Sequence, residues 1–118
     1  ELLEEARKTG LFEQTLDLKA AVADADFVYT DTWIDMEFFF EESYQEEKAR
    51  RLKVFEPYQI NEALLASTDA YVMHCLPAHK GYEVTAGVME APQCIAVDQA
   101  ENRMHAQKAV LLRLMDQE

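Results

Sequence analysis

The sequence contains few of the residues that break a chain or link it covalently. Its 118 residues include three glycines, three prolines and two cysteines, Cys75 and Cys94. So few glycines and prolines leave little room for long linkers, which favours a single domain over residues 1–118. Two cysteines are too few for the disulfide framework of a small secreted domain. We therefore expect two free thiols and a cytoplasmic protein.

Basic residues are also scarce. Eleven lysines and arginines stand against 23 aspartates and glutamates, which gives a formal net charge of −12. This charge repels a phosphate backbone, so nucleic acid is not an expected partner. It is equally unsuited to an anionic substrate, whose cationic pocket would have to lie elsewhere. No apolar run approaches the roughly 20 residues that cross a bilayer, and Glu1 opens no targeting segment, so no membrane partner is expected.

Sequence patterns for cofactors are missing as well. No set of His, Cys, Asp and Glu has the spacing of metal ligands, and no glycine-rich loop is suited to holding phosphate. No Ser-His-Asp arrangement can be argued either. The sequence therefore predicts neither a metal nor an organic cofactor.

The chain does contain an alternation of short apolar runs and helical patterns. An apolar fraction of 49% and a charged fraction of 29% are typical of a globular protein. The predicted strands are Phe27–Thr30, Ala70–Met73 and Cys94–Val97, with Phe12–Leu16 as a further candidate. Strands separated by helices favour an α/β fold, with a parallel sheet and helices on both faces.

The helical segments are recognised by their caps and terminators. Asp17 and Asn61 are typical N-cap residues, whereas Gly10 and Pro57 end helices. The predicted helices are Glu1–Thr9, Leu18–Ala23, about Phe38 to Phe55, Glu62–Ala66, Val84–Glu90 and Gln99–Met115.

Polar residues follow two of the predicted strands. Asp31 comes directly after Phe27–Thr30, and His74-Cys75-Leu76-Pro77 follows Ala70–Met73. Open α/β sheets bind ligands at the carboxyl ends of their strands, so these residues are candidates for a binding site. Taken alone, Asp31 is also typical of a turn or an N-cap. Cys75 is also typical of a small buried hydrophobe, and His74 of a strand-end histidine with satisfied hydrogen bonds.

Three segments together resemble a known family. Tyr29-Thr30-Asp31-Thr32-Trp33, His74-Cys75-Leu76-Pro77 and Ala100-Glu101-Asn102-Arg103 occur in the order seen in transcarbamylases, specifically ornithine carbamoyltransferases. The resemblance extends from about Leu18 to Leu114. It implies the Rossmann-like half that binds the amino acid, with the amino-terminal carbamoyl-phosphate domain absent, so that the chain alone would be inactive.

The family's reaction is attack of the δ-amine of ornithine on carbamoyl phosphate, giving citrulline and phosphate, a step of arginine biosynthesis and of the urea cycle. The resemblance implies no metal or organic cofactor and a homotrimeric full-length protein. It also implies that the residues for the phosphate of carbamoyl phosphate belong to the missing domain.

The resemblance assigns roles residue by residue. Asp31 matches the aspartate that holds the α-ammonium of ornithine, and Cys75 matches the cysteine beside the reacting amine. The backbone carbonyl of Leu76 would help to orient the substrates, with the Leu76–Pro77 bond in the cis form. His74 belongs to the same substrate-binding segment. Arg103 matches the arginine that donates to the carbamoyl oxygen, where negative charge develops.

Other polar residues have simpler interpretations. Arg103 is expected in the first turn of the last helix, where the helix dipole disfavours a cation, and an ion pair with Asp98 or Glu101 would explain it without catalysis. Trp33 is interpreted as a packing residue. His79, Lys80 and His105 are expected to be solvated.

One segment departs from the family pattern. Where ornithine carbamoyltransferases usually carry a Ser-Met-Gly loop, this chain has Asp35-Met36-Glu37, followed by Phe38-Phe39-Phe40. Met36 is kept, and Asp35 can still accept from an ammonium group. Three consecutive phenylalanines cannot share one helix face, so some of them should meet another surface. The departure leaves open a transcarbamylase for putrescine or an acylornithine, or a non-catalytic binding module.

Overall fold

Two parallel strands form the sheet, β1 (Phe27–Thr30) and β2 (Tyr71–His74). They pair in register, with Val28 opposite Val72. On the other side of β2, Cys94 forms a single parallel bridge to Val72. β2 therefore lies in the middle, and the three segments run in the same direction, as the α/β pattern predicts.

The computed structural model describes residues 1–115, and helices surround the sheet. Short 3₁₀ turns occur at Met36–Phe38, Glu42–Tyr44 and Glu56–Tyr58. The α-helices within residues 1–115 are α1 (Leu2–Lys8), α2 (Leu18–Ala23), α3 (Gln45–Phe55), α4 (Glu62–Leu65), α5 (Ala86–Glu90) and α6 (Ala96–Met115).

Side-chain caps fix where the short helices begin. The side chain of Asp17 accepts from the backbone N–H of Ala20 at 3.0 Å, and that of Asn61 accepts from Leu64 at 2.9 Å. Each cap satisfies one of the backbone donors that a helix amino terminus leaves without a partner. Both predicted caps are confirmed.

The core lies on one face of the sheet. Val28 and Val72 point to that face and pack against α2, α4 and α5. On the opposite face, Tyr29 and Gln99 of α6 line the same cleft. The fold class is therefore as predicted, an α/β fold with a parallel sheet between helices. The core side chains are Val22, Val28, Ile60, Leu64, Ala70, Val72, Val84 and Val88.

The prediction of a third strand at Cys94–Val97 is wrong. Val72 exchanges two backbone hydrogen bonds with this segment, one to Gln93 at 2.8 Å and one from Ile95 at 2.9 Å. The backbone N–H of Gln99 then bonds the carbonyl of Ile95. The chain therefore turns into α6 after a single bridge, because Ala96 and Val97 are taken into the first turn of the helix.

Two further predictions, one strand and one long helix, are wrong. Within residues 1–115 the predicted strand has no neighbouring strand to pair with, and the predicted helix is interrupted by a contact with α3. Phe12–Leu16 forms no strand, and Leu16 is 82% exposed. The single helix expected from Phe38 is broken, since α3 begins only at Gln45. The phenylalanine run bends where Lys48 Nζ donates to the carbonyl of Phe39 at 3.1 Å.

Cys75 and Cys94 are both free thiols. In residues 1–115, no helix combines the length and the apolar character that a bilayer crossing requires.

Candidate active site

The ends of the two strands bring Asp31 and Cys75 together. Thr30 pairs with His74, so the residues that follow them leave the sheet side by side. The thiol of Cys75 donates to Asp31 Oδ1 at 2.8 Å, and the backbone N–H of Thr32 donates to the same oxygen at 2.7 Å. An acidic group and a thiol therefore share the carboxyl edge of the sheet, where the sequence predicted a binding site.

The contact sets the charge of both groups. Donation from the Cys75 thiol, and then from the Thr32 amide, lowers the pKa of Asp31. Burial, followed by the hydrogen bond to Asp31 and its negative charge, raises the pKa of Cys75. At neutral pH the pair is a carboxylate beside a neutral thiol. It is suited to holding a cation rather than to presenting a thiolate nucleophile.

A cleft of about 440 Å³ opens beside this pair, between the strand ends and α6. Tyr29, Cys75, Gln99 and Arg103 are among its lining residues. A larger cleft of about 690 Å³ lies at the opposite edge of the sheet, among turns that carry acidic side chains. None of the predicted site residues lines the larger cleft, whereas His74, Cys75 and Arg103 line the smaller one, which is therefore the candidate site.

Arg103 lies deeper in its helix than expected. Because α6 begins at Ala96, Arg103 falls in the third turn and not in the first, so the helix dipole has little effect on it. Glu101, one of its predicted ion-pair partners, contacts His105 instead, with 3.3 Å between Oε1 and Nε2. The structure brings Arg103 to the same cleft as Cys75.

The backbone after Cys75 has an unusual geometry. Leu76 has a φ of 53°, which is uncommon for a residue other than glycine, and its bond to Pro77 is cis, as the resemblance implied. His74 Nδ1 accepts from the backbone N–H of Leu76 at 2.8 Å. The backbone N–H of His74 donates to the side chain of Gln99 at 3.1 Å. The predicted substrate-binding segment is therefore held from both β2 and α6.

Sequence reasoning missed Glu83. This glutamate is fully buried, and its Oε1 lies 3.2 Å from His74 Nε2. The same oxygen accepts from the backbone N–H of His79, whereas Oε2 has no hydrogen-bond partner within residues 1–115. The sequence contains only a weak signal for a role of Glu83, which lies four residues after His79 and directly before Val84.

The expectation that His79 is solvated is wrong. Its ring stacks on Phe39 with 4.1 Å between centroids and 5° between planes. Its Nδ1 lies 2.9 Å from Thr32 Oγ1. Phe40 is 83% exposed, so it is accessible to the other surface that was predicted for part of the phenylalanine run. Lys80 and His105 lie at the surface, as expected.

Asp35 and Met36 lie in the segment that departs from the family pattern. Asp35 Oδ2 is 4.0 Å from Arg51 Nη1, so part of its charge is balanced by α3. Met36 opens a 3₁₀ turn and is 47% exposed. Within residues 1–115, no cluster of three or more His, Cys, Asp or Glu side chains could hold a metal ion.

Comparison with known proteins identifies the family of the chain. A family model for the Asp/Orn-binding domain of aspartate/ornithine carbamoyltransferases matches residues 1–114. The ornithine carbamoyltransferase of Oceanobacillus iheyensis is 50% identical over 108 residues, which are 90% of this chain and 32% of that protein. The chain thus spans about a third of the length of the curated relatives that it matches.

Solved structures of transcarbamylases are also similar to this chain. The ornithine carbamoyltransferase of Pyrococcus furiosus matches with a TM-score of 0.73 and 46% identity, over 90% of this chain and 33% of that one. An N-acetyl-L-ornithine transcarbamylase mutant, complexed with carbamyl phosphate and N-succinyl-L-norvaline, matches with a TM-score of 0.65 and 37% identity, over 81% of this chain and 28% of that one. With a family model over residues 1–114 and a curated relative 50% identical over 90% of its length, the chain belongs to the aspartate/ornithine carbamoyltransferase family.

Proposed function

We propose that this chain is the amino-acid-binding part of an ornithine carbamoyltransferase. In this reaction the unprotonated δ-amine of ornithine attacks the carbonyl carbon of carbamoyl phosphate, and citrulline and phosphate are formed. The observation that carries the proposal is the 2.8 Å contact between Cys75 Sγ and Asp31 Oδ1, beside a cleft that Arg103 also lines. Such a site combines a fixed anion with a cation that lines the adjacent cleft.

The residues take complementary parts in the proposed reaction. Asp31, whose pKa is lowered by its donors, remains a carboxylate and binds the α-ammonium of ornithine. Cys75, whose pKa is raised by burial, keeps its proton and stays a neutral thiol beside the reacting amine. The Leu76 carbonyl orients the substrates. Catalysis then depends mainly on juxtaposition of the two substrates.

Arg103 acts on the other substrate. As the amine attacks, negative charge develops on the carbamoyl oxygen, and a guanidinium that donates to this oxygen stabilises the transition state more than the ground state. The phosphate group needs further cations, which a chain of net charge −12 is poorly suited to supply. We assign the phosphate pocket to an amino-terminal domain outside residues 1–118, in a cytoplasmic homotrimer.

A second candidate is a transcarbamylase for another amine. It is favoured by Asp35-Met36-Glu37 in place of Ser-Met-Gly, and by the similarity to N-acetyl-L-ornithine transcarbamylase. Asp31 favours amines that carry a cationic group at the α-position, and Asp35 adds less negative charge than its sequence suggests because Arg51 lies 4.0 Å away. We therefore rank ornithine first, putrescine second and an acylornithine third, since the acylated α-nitrogen is no longer cationic.

The test compares kcat/KM for ornithine, putrescine and N-acetylornithine with the intact protein and saturating carbamoyl phosphate. The expected result is the highest value for ornithine, with citrulline as the product. A preference for the acylated amine would refute the ranking and assign the altered segment a role in specificity. Absence of carbamoyl transfer to any of the three amines would favour the non-catalytic binding module.

A further inference from the structure

We propose that Glu83 is a positioning residue for this active site. Its buried carboxylate selects the tautomer of His74, and His74 then holds the backbone of Leu76 in the conformation that presents the Leu76 carbonyl. The inference rests on the proposed function, because it is the substrates of that reaction that the carbonyl would orient. Glu83 itself touches neither substrate in this proposal.

Glu83 is fully shielded from solvent. The side chains of His74 and Glu83 are both 0% exposed. The backbone carbonyl of Glu83 accepts from the N–H of Ile60 at 2.9 Å, and the next residue, Val84, is buried in the core. A buried carboxylate is costly unless it is hydrogen-bonded. Its presence here calls for a role that a core hydrophobe of similar size could not take.

The hydrogen bonds define the tautomer of His74. The backbone N–H of Leu76 can only donate, and it lies 2.8 Å from His74 Nδ1, so this nitrogen is an unprotonated acceptor. The proton of the neutral ring is then on Nε2, which lies 3.2 Å from Glu83 Oε1 and donates to it. The opposite tautomer would lose both bonds, so the carboxylate selects the form that binds Leu76.

The geometry of Leu76 explains why this bond matters. With a φ of 53°, Leu76 occupies the left-handed region, in which leucine is uncommon, and its N–H bond to His74 is an interaction that holds it there. Leu76 directly follows Cys75, so a shift of its backbone also shifts the thiol that contacts Asp31.

Glu83 is also connected, through His79, to the residues that follow β1. Its Oε1 accepts from the backbone N–H of His79. Thr32 Oγ1 donates its proton to the carbonyl of Ile34 at 2.8 Å, so it accepts from His79 Nδ1 at 2.9 Å. Thr32 in turn follows Asp31 and donates to it. A single buried carboxylate is therefore connected to the residues after both β1 and β2.

The experiment uses the intact protein with Glu83→Ala and Glu83→Gln. The matched control is Glu90→Gln, which alters an exposed acid that pairs with Lys80. We expect Glu83→Ala to lower kcat by about 10²-fold, the loss that a displacement of about 1 Å can cause, with a smaller change in the KM for carbamoyl phosphate. Glu83→Gln keeps an oxygen that accepts from His74 Nε2, so it should retain most of kcat. Glu90→Gln should match the wild type.

Histidine side-chain ¹⁵N NMR supplies a readout without substrate. In the wild type and in Glu83→Gln, Nδ1 of His74 should show the shift of an unprotonated nitrogen and Nε2 that of a protonated one. In Glu83→Ala, the two signals should move toward a mixture of tautomers. An unchanged tautomer in Glu83→Ala, or a Gln variant as slow as the Ala variant, would overturn the proposal.

A second pair of variants keeps the test decisive if Glu83→Ala does not fold. His74→Asn leaves a side-chain oxygen that can accept from the Leu76 N–H without any help from Glu83, whereas His74→Ala leaves none. A higher kcat for His74→Asn than for His74→Ala supports the proposal, and equal values overturn it. If the wild type transfers no carbamoyl group, the proposed function fails, while the NMR result still decides the tautomer.

Discussion

At the scale of single residues, the pairing of Asp31 with Cys75 limits the chemistry of the cleft. A thiolate 2.8 Å from a carboxylate would be repelled, and the raised pKa of Cys75 and the lowered pKa of Asp31 both favour the neutral thiol. The pair is therefore suited to binding a cation, and in the proposed reaction Cys75 forms no covalent intermediate.

Arg103 provides the sharpest test at this scale. Replacing Arg103 by alanine in the intact protein is expected to lower kcat by about 10²–10³, the typical cost of removing one donor to a developing oxyanion. Steady-state kinetics with ornithine and carbamoyl phosphate measure this change. Arg113, in the last turn of α6, offers a matched control, and Arg113→Ala should leave kcat unchanged. Near-normal turnover in Arg103→Ala would return this residue to a structural role.

The sequence allowed some of these residues to be predicted and not others. Asp31 and Cys75 directly follow apolar runs, so the geometry of a parallel sheet alone brings them together. Glu83 could not be found in this way, because its partner His74 lies nine residues earlier and only the path of the loop makes them neighbours. His79 was misjudged for the same reason, since its contact with Phe39 spans forty residues of sequence.

At the scale of elements, helix and strand bounds were predicted correctly where a few neighbouring residues determine the structure. The bounds of α2 and β1 were predicted to the residue, and the caps Asp17 and Asn61 were identified, because the cap bond joins residues only three apart. The third strand and the long helix failed because their limits depend on distant contacts. Val72 offers only one bridge to Cys94, and the phenylalanine run packs on other residues instead of continuing α3.

The Asn61 cap gives a prediction for stability. Asn61→Ala removes the acceptor for the Leu64 N–H at the start of α4, and should lower the free energy of unfolding by about 1 kcal/mol. Leu64 belongs to the core, so fraying of this short helix also loosens core packing. Urea denaturation of the intact protein measures the change. Asn61→Asp keeps an acceptor and should unfold close to the wild type; an equal loss in both variants would contradict the role of the cap.

At the scale of the whole molecule, the chain has the residues of the proposed amino-acid site but lacks the positive charge that its proposed reaction requires. Asp31, Cys75 and Leu76 follow the strands at one edge of the sheet, and within residues 1–115 Arg103 is the Lys or Arg side chain that lines the cleft beside Cys75. The net charge of −12 opposes the approach of a doubly charged phosphate. The apolar face of α6 is also open, with Leu111, Leu112 and Leu114 more than half exposed, in a chain that spans about a third of its relatives.

These observations predict that residues 1–118, produced alone, form no citrulline from ornithine and carbamoyl phosphate, whereas the intact protein does. The expected reason is that the proposed phosphate pocket lies outside residues 1–118, and not a defect in the amino-acid site. Supplying the rest of the intact polypeptide as a separate chain should therefore restore turnover, because it adds cationic groups for the phosphate and covers the open face of α6. A colorimetric citrulline assay on the chain alone, on the two pieces together and on the intact protein distinguishes these cases. Turnover by the chain alone would mean that Arg103 and the strand edge suffice to bind carbamoyl phosphate, and would move the phosphate pocket into residues 1–118.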